Sequence, residues 1–173
     1  MLFFSSSQFN NNIINKADAQ TCTTNLPVSA VTASGNDGNV PQNVLDNNLN
    51  TRWSSLGVGQ WIRADLGSTQ NICSVDIAWY KGNERAYNFV ISTSTDGTTF
   101  TNKLSSTSSG TTTNSEKYII PATDARYVRI TVNGNTANNW ASITELDIFA
   151  MSSSTASSLY NYDPSLTLSG PGG

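Results

Sequence analysis

Histidine is absent from all 173 residues, and that gap removes much enzymology at once. General acid–base and nucleophilic machinery recruits His more than any other side chain. Cysteine is nearly absent too: Cys22 and Cys73 alone leave too few N and S ligands for a zinc-type centre. Charged residues are only 12% of the chain, so Ser, Thr and Asn carry the surface polarity, as in exported β-proteins and unlike most cytosolic enzymes. Nine Lys and Arg against twelve Asp and Glu give a net charge of −3. No block of basic residues supplies the footprint that phosphate backbones require, which argues against nucleic acid as a partner. No apolar run is long enough to span a bilayer.

What is present fits one domain with a substantial core and flanking segments. Residues 1–4 are apolar but lack the basic stretch of an export signal, whereas Ala17-Asp18-Ala19 before Gln20 resembles a cleavage site. Residues 1–19 are therefore read as an export-signal remnant or a disordered Asn/Ser-rich tail, and the protein is expected to be secreted or at the cell surface. The folded domain is expected over 20–150. A Ser/Thr linker follows over 151–159, and 160–173 reads as the start of a further segment. In an exported chain two cysteines more often pair than stay free. A bridge from Cys22, ahead of the first strand, to Cys73, inside a later one, would clamp the N-terminus to the domain.

The body of the chain is a run of short alternating segments divided by turn residues. Strands are expected over 26–33, 61–66 (stopped by Gly67), 72–80, 87–95, from Phe100, over 117–120 and 125–132, and over 143–149. Val75, Ile77 and Trp79 share one face, as do Val128, Ile130 and Val132. Asp96-Gly97 is a hairpin signal. Residues 105–114 form a Ser/Thr/Gly loop and 133–139 a polar loop ending at Trp140. Only 41–45 reads as a helical turn. The fold class is all-β, a β-sandwich or jelly roll.

The stretch 43–61 stands out. Val44 and Leu45 run into a loop carrying Asp46, Asn47, Asn48, Asn50 and Thr51, followed by Arg52-Trp53 and, after a glycine-punctuated turn, Gln60-Trp61. So many oxygens on a short loop suit a hard cation such as Ca²⁺, which takes six to eight oxygens, many from backbone carbonyls. An Asx-rich turn, in which Asn and Asp bond their own backbone, explains the same residues.

Five segments in order resemble the discoidin family, also called coagulation factor 5/8 type C domains. They are Val44 to Trp53; Gln60-Trp61-Ile62-Arg63-Ala64-Asp65-Leu66-Gly67; Ser94-Thr95-Asp96-Gly97; Ala125-Arg126-Tyr127-Val128-Arg129-Ile130; and Ile143-Thr144-Glu145-Leu146-Asp147-Ile148. Ile77-Ala78-Trp79-Tyr80-Lys81-Gly82-Asn83-Glu84-Arg85 is most similar to the family-32 carbohydrate-binding modules (CBM32) that accompany alginate lyases and other polysaccharide-degrading enzymes. The resemblance implies a jelly-roll sandwich with one structural Ca²⁺. Its ligands would be the Leu45 carbonyl, the Asp46 carboxylate, the Asn48 carbonyl, Thr51 through carbonyl and hydroxyl, the Ser142 carbonyl and the Glu145 carboxylate. Where relatives often carry Gly and Asp after the first Asp, this chain has Asn47 and Asn48, which lowers the negative charge of the site.

Sugar recognition needs an aromatic face for the apolar side of a pyranose and polar groups for its hydroxyls. Trp53, Trp61 and Trp79 sit beside or within strands and are expected in the core. The recognition surface is expected from two loops, Tyr80, Lys81, Asn83, Glu84 and Arg85 on one and Asn138, Asn139 and Trp140 on the other; packing of Trp140 beneath the last strand is the competing placement. Galactose-binding relatives use a His–Arg pair, which this chain cannot form. Lys81 and Arg85 could instead engage carboxylates of an acidic polysaccharide such as alginate, Arg through a bidentate fork. The expected partner is a polysaccharide or cell-surface glycan, with a tethered catalytic or adhesive domain in the parent protein. The expected function is non-catalytic, since Asp46 and Glu145 are accounted for as metal ligands and Asp65, Glu84 and Glu116 show no pairing pattern. The alternative is an adhesive or membrane-binding discoidin domain using Leu56 and Val58 as apolar tips, but two aliphatics without a basic collar make a weak membrane signal.

Overall fold

A computed structural model describes residues 21–152; the expected signal remnant and the segment from 153 onward lie outside the described residues. Eight strands form one continuous antiparallel sheet that folds over itself: β1 (Cys22–Leu26), β2 (Ala30–Ala33), β3 (Trp53–Leu56), β4 (Gln60–Trp79), β5 (Tyr87–Ser94), β6 (Thr101–Thr107), β7 (Glu116–Asn135) and β8 (Trp140–Met151). A 3₁₀ turn spans Pro41–Leu45 with proline in its first turn, where the missing amide hydrogen removes no helical bond. The architecture is the expected jelly-roll β-sandwich. β8 runs on through Met151, into the stretch read as linker.

Three expected boundaries differ, each for a backbone reason. The strand expected over 26–33 is two pieces. Pro27 cannot donate to a ladder, and the chain crosses there from one layer to the other: β1 pairs with β8 and β2 with β4. Conversely, the segments expected over 61–66 and 72–80 are one 20-residue strand, β4. Gly67, at φ +77°, bends the strand rather than ending it, and the β4–β7 register shifts between Asp65 and Gln70 and again between Ile72 and Ser74. The segments expected over 117–120 and 125–132 likewise merge into β7. Bulges of this kind add twist and let one strand serve two layers. The first half of β4 and the second half of β7 lie in a front layer with β2, β5 and β6; their other halves lie in a back layer with β1, β3 and β8.

Alternation then decides what is inside. Tyr87, Phe89 and Ile91 are buried while Asn88 is exposed, and Val128, Ile130 and Val132 are fully buried. Trp79 stacks on Tyr87 at 4.8 Å between centroids and meets Phe89 at 5.0 Å; Phe89 packs edge-on to Tyr118. The polar atoms of this cluster are satisfied, since Trp79 Nε1 donates to the Tyr118 hydroxyl at 3.0 Å. Trp53 and Trp79 are core residues, as expected. Trp61 is not: it is half-buried on the outer face of the front layer, because its neighbours Ile62 and Ala64 take the inward positions. Leu56 and Val58, each 61% exposed, flank the β3–β4 turn. Cys22 and Cys73 are bridged, tying β1 to β4 where the back layer is otherwise held to the N-terminus by one ladder. At the Asp96-Gly97 turn, backbone amides of Thr98 and Thr99 each donate to Asp96 Oδ1 at 2.8 Å, which hold that carboxyl far below its ordinary range.

Candidate functional site

At one end of the back layer, five side chains from four parts of the sequence surround a cleft of about 190 Å³: Asp37, Arg52, Tyr80 with Arg85, and Trp140, with Ser54 and Ser142 also lining it. Its geometry begins where β4 ends. Trp79 is the last strand residue, and Lys81 takes φ +53°, so the chain turns at once. The Gly82 amide donates back to the Trp79 carbonyl at 2.9 Å and the Arg85 amide to the Lys81 carbonyl at 3.2 Å. A side chain at Gly82 would strike the Thr112 carbonyl. This tight turn returns Arg85 beside Tyr80. The Tyr87 hydroxyl donates to the Tyr80 carbonyl at 2.7 Å; burial pushes that phenol up to about 12, against the opposing charge of Arg85, so it remains a proton donor.

Two guanidinium groups flank the Tyr80 ring, Arg52 at 4.2 Å and Arg85 at 5.9 Å from its centroid. The Nε atoms of both are buried and have no hydrogen-bond acceptor among the described residues. Buried donors are nearly always paired, so the cleft holds charge-assisted donors in search of an acceptor. Asp37 supplies the one carboxylate. Burial alone would raise its pKa, but bonds from the Asn39 side chain and backbone, and the charge of Arg52, hold it below the usual range. Trp140 opens β8, opposite Leu56; it is half-buried and lines the cleft. Its position is set by the preceding turn, where Asn138 Oδ1 accepts the Trp140 amide at 3.1 Å and Asn135 Nδ2 at 2.8 Å.

The structure thus gathers Tyr80, Arg85 and Trp140 from the expected recognition residues and separates the others. Lys81, Asn83 and Glu84 line an adjoining depression of about 220 Å³, which shares Tyr80 with the cleft, and Lys81 Nζ is paired with Glu84 Oε2 at 3.2 Å. Asn138 is used as a turn scaffold, and the Asn139 carbonyl accepts the Gly57 amide at 3.0 Å. Arg52 and Asp37 are the residues sequence reasoning missed. The only local signal was Arg52 standing beside the core residue Trp53, which fixes its backbone at the edge of the sandwich.

The oxygen-rich loop closes on β8. The Asn48 amide lies 3.0 Å from Asp46 Oδ1 and 2.6 Å from Glu145 Oε1, while the Thr51 hydroxyl lies 2.7 Å from Asp46 Oδ2 and 2.9 Å from the Asn48 carbonyl. Two carboxylates, a hydroxyl and a carbonyl therefore meet in one place, with Leu45 immediately before them. Burial first, and the adjacent Asp46 carboxylate in addition, push Glu145 up to about 7 against the bond from the Asn48 amide. Two acids held this close, one of them buried, form a donor set that a hard divalent cation fits. Ser142 lies with the cleft instead: its hydroxyl meets that of Ser54 at 2.9 Å and its carbonyl accepts the Tyr80 amide at 3.3 Å.

The F5/8 type C domain family matches residues 27–146. Among solved structures, the chain is similar to the CBM32 of AlyQ in complex with 4,5-unsaturated mannuronic acid, at 49% identity over 73% of this chain and 98% of that one, with a TM-score of 0.72. Truncated AlyQ, with CBM32 and alginate lyase domains, matches at 48% identity and a TM-score of 0.73 over 74% of this chain and 33% of that one. A pectin-binding carbohydrate-binding module is 32% identical over 76% of this chain and 94% of its own, with a TM-score of 0.67. A sialidase of Micromonospora viridifaciens is 29% identical over 120 residues, 61% of this chain but 18% of the sialidase.

Proposed function

Because this chain belongs to the F5/8 type C domain family, we propose that it is a non-catalytic carbohydrate-binding module whose ligand is an acidic, uronate-containing polysaccharide. The observation that carries the reading is the Arg52–Tyr80–Arg85 arrangement with buried, unpaired Nε donors. A uronate carboxylate is the acceptor such a pair suits, Arg offering a planar fork where Lys offers a point charge. The Trp140 and Tyr80 rings would take the apolar face of the pyranose, and Asp37, ionised at neutral pH, would accept sugar hydroxyls. The likeness to a module solved with an unsaturated mannuronic acid and to one that binds pectin supports this ligand class.

Ca²⁺ would be held by the Leu45, Asn48 and Thr51 oxygens with the Asp46 and Glu145 carboxylates; its chemistry there is neutralisation of two facing acids. The ion would brace the loop from which Arg52 projects. Secretion or display at the cell surface suits the bridged cysteines and the Ser/Thr/Asn-rich surface. Binding would raise the local concentration of substrate for a tethered domain, and the lyase domain of AlyQ is an example of such a neighbour. Calorimetric titration with mannuronate, galacturonate and neutral galactoside oligomers tests the reading. Binding of the uronates, weakening with salt, is expected; binding confined to neutral galactosides would overturn it.

A further inference from the structure

A second cationic surface lies on the front layer, on the first half of β4 and its neighbours rather than at the β4 end that borders the cleft. Along the outward positions, Thr32, Arg63, Arg129 and Ser92 stand directly opposite one another across β2, β4, β7 and β5. Arg63 and Arg129 are therefore a like-charged cross-strand pair, an arrangement that destabilises a sheet when nothing lies between the charges. The acid two positions along β4 from Arg63, Asp65, feels the Arg63 charge but is bonded to Arg126, which donates from Nε at 2.7 Å and Nη2 at 2.9 Å. Arg63 places Nη1 on the Gly97 carbonyl at 3.1 Å, and Arg129 Nε is buried without an acceptor among the described residues. Burial, and then the charge of Arg63, depress the Arg129 pKa.

Three aromatic rings frame the pair. The Arg129 guanidinium lies 4.0 Å from the Phe100 ring centroid, and that of Arg63 lies 5.4 Å from Tyr127 and 5.9 Å from Trp61. The close approach to Phe100 is a cation–π contact that holds the Arg129 guanidinium in place, while Arg63 is fixed by its bond to the Gly97 carbonyl. In a chain of net charge −3 with nine cationic side chains, two of them set side by side, with the neighbouring Asp65 bonded to Arg126, is an anion-seeking feature. Half-buried aromatics beside it suit a sugar ring better than a small inorganic ion.

We propose that the Arg63–Arg129 pair is a second carbohydrate site, which takes a carboxylate from the interior of a polyuronate chain on the flat outer face of the front layer. The ligand class rests on the reading of the cleft as a uronate site, but the residues do not overlap. A polymer long enough to meet both surfaces would be held more tightly than a short oligomer through effective concentration.

The test follows the arginine Nε–Hε resonances of the intact chain during titration with a mannuronate oligomer, and compares R63Q/R129Q and R52Q/R85Q in gels containing polymannuronate or a sulfated neutral polysaccharide. Saturable shifts at Arg63 and Arg129, and a severalfold loss of retardation by polymannuronate in R63Q/R129Q, are expected. Shifts at Arg52 and Arg85 without any at Arg63 and Arg129 would overturn this site and leave the cleft intact. Shifts at Arg63 and Arg129 alone would remove the cleft reading and leave this one. A response of the pair to the sulfated polymer and none to mannuronate would overturn the proposal. The resonances are read on the unmodified chain, so a variant that fails to fold does not decide the outcome.

Discussion

Replacing Arg85 by Gln should separate charge recognition from packing in the cleft. Arg85 sits 5.9 Å from the Tyr80 ring with its Nε buried and unpaired, so the variant removes a donor without breaking a bond that Nε makes in the free protein. A net charge-assisted hydrogen bond is worth about 1.5–3 kcal/mol, which corresponds to a rise in Kd for a mannuronate trisaccharide of roughly 10- to 150-fold. Arg85→Lys keeps the charge and loses the fork, and should fall between the two. Arg52 flanks the same ring at 4.2 Å, so the R52Q/R85Q double variant should lose less than the sum of the singles, because one carboxylate serves both. Calorimetry at low and high salt reads these numbers. Arg85 also faces the buried Tyr87 hydroxyl, so an unchanged melting temperature must accompany each comparison. An unaltered Kd in R85Q, or an equal loss for acidic and neutral oligomers, would refute the carboxylate-fork reasoning.

Chelation should lower the melting temperature. At a free Ca²⁺ concentration one hundredfold above Kd the stabilisation is about 2.7 kcal/mol, a shift on the order of 5–15 °C; Glu145→Ala should abolish the difference between calcium and chelator, and a parent melting temperature indifferent to both would remove the metal. Replacing Cys22 and Cys73 together by Ser opens a loop of 51 residues, for which chain entropy gives a loss of about 4 kcal/mol; denaturant unfolding of the variant against the oxidised parent measures it, and a loss under about 1 kcal/mol would show that the ladder between β1 and β8 holds the N-terminus without the bridge. The bidentate bond from Arg126, reinforced by the Gly67 amide, holds Asp65 below its ordinary range despite some burial. The folded chain thus binds that proton more weakly than the unfolded one, so the contribution is complete above the unfolded value near 3.8 and vanishes as pH falls through the lower folded value. Asp65→Asn should be less stable than the parent at pH 7, with the gap closing at acid pH; a gap independent of pH would contradict the sign.

The strands were legible because one face of each is buried, so alternation survives in the residues themselves: Tyr87, Phe89 and Ile91 need no partner to be recognised. The joins were not. Gly67 read as a stop, yet it lies within a bent strand, since a bulge spends the same residues that a turn would. Pro27 misled in the opposite direction, hidden inside an apolar stretch. The short-range half of the oxygen-rich site, Leu45 to Thr51, was visible as a cluster of oxygens, whereas Glu145 entered only through family resemblance because 94 positions of sequence separate it from Thr51. The cleft was the least legible part. Its residues come from four separate places in the chain, and a charged residue near the right loop is no guide by itself: Lys81 stands next to Tyr80 yet is spent on Glu84, three residues on, while Arg52, at the end of the oxygen-rich loop, reaches the ring.

The most direct measurement is a crystal structure of the chain bound to a mannuronate oligosaccharide. The uronate carboxylate should lie within hydrogen-bonding distance of Arg85 and Arg52, with a pyranose face against Tyr80 or Trp140. Sugar density elsewhere, with the Arg52–Tyr80–Arg85 cleft filled only by solvent, would contradict the account.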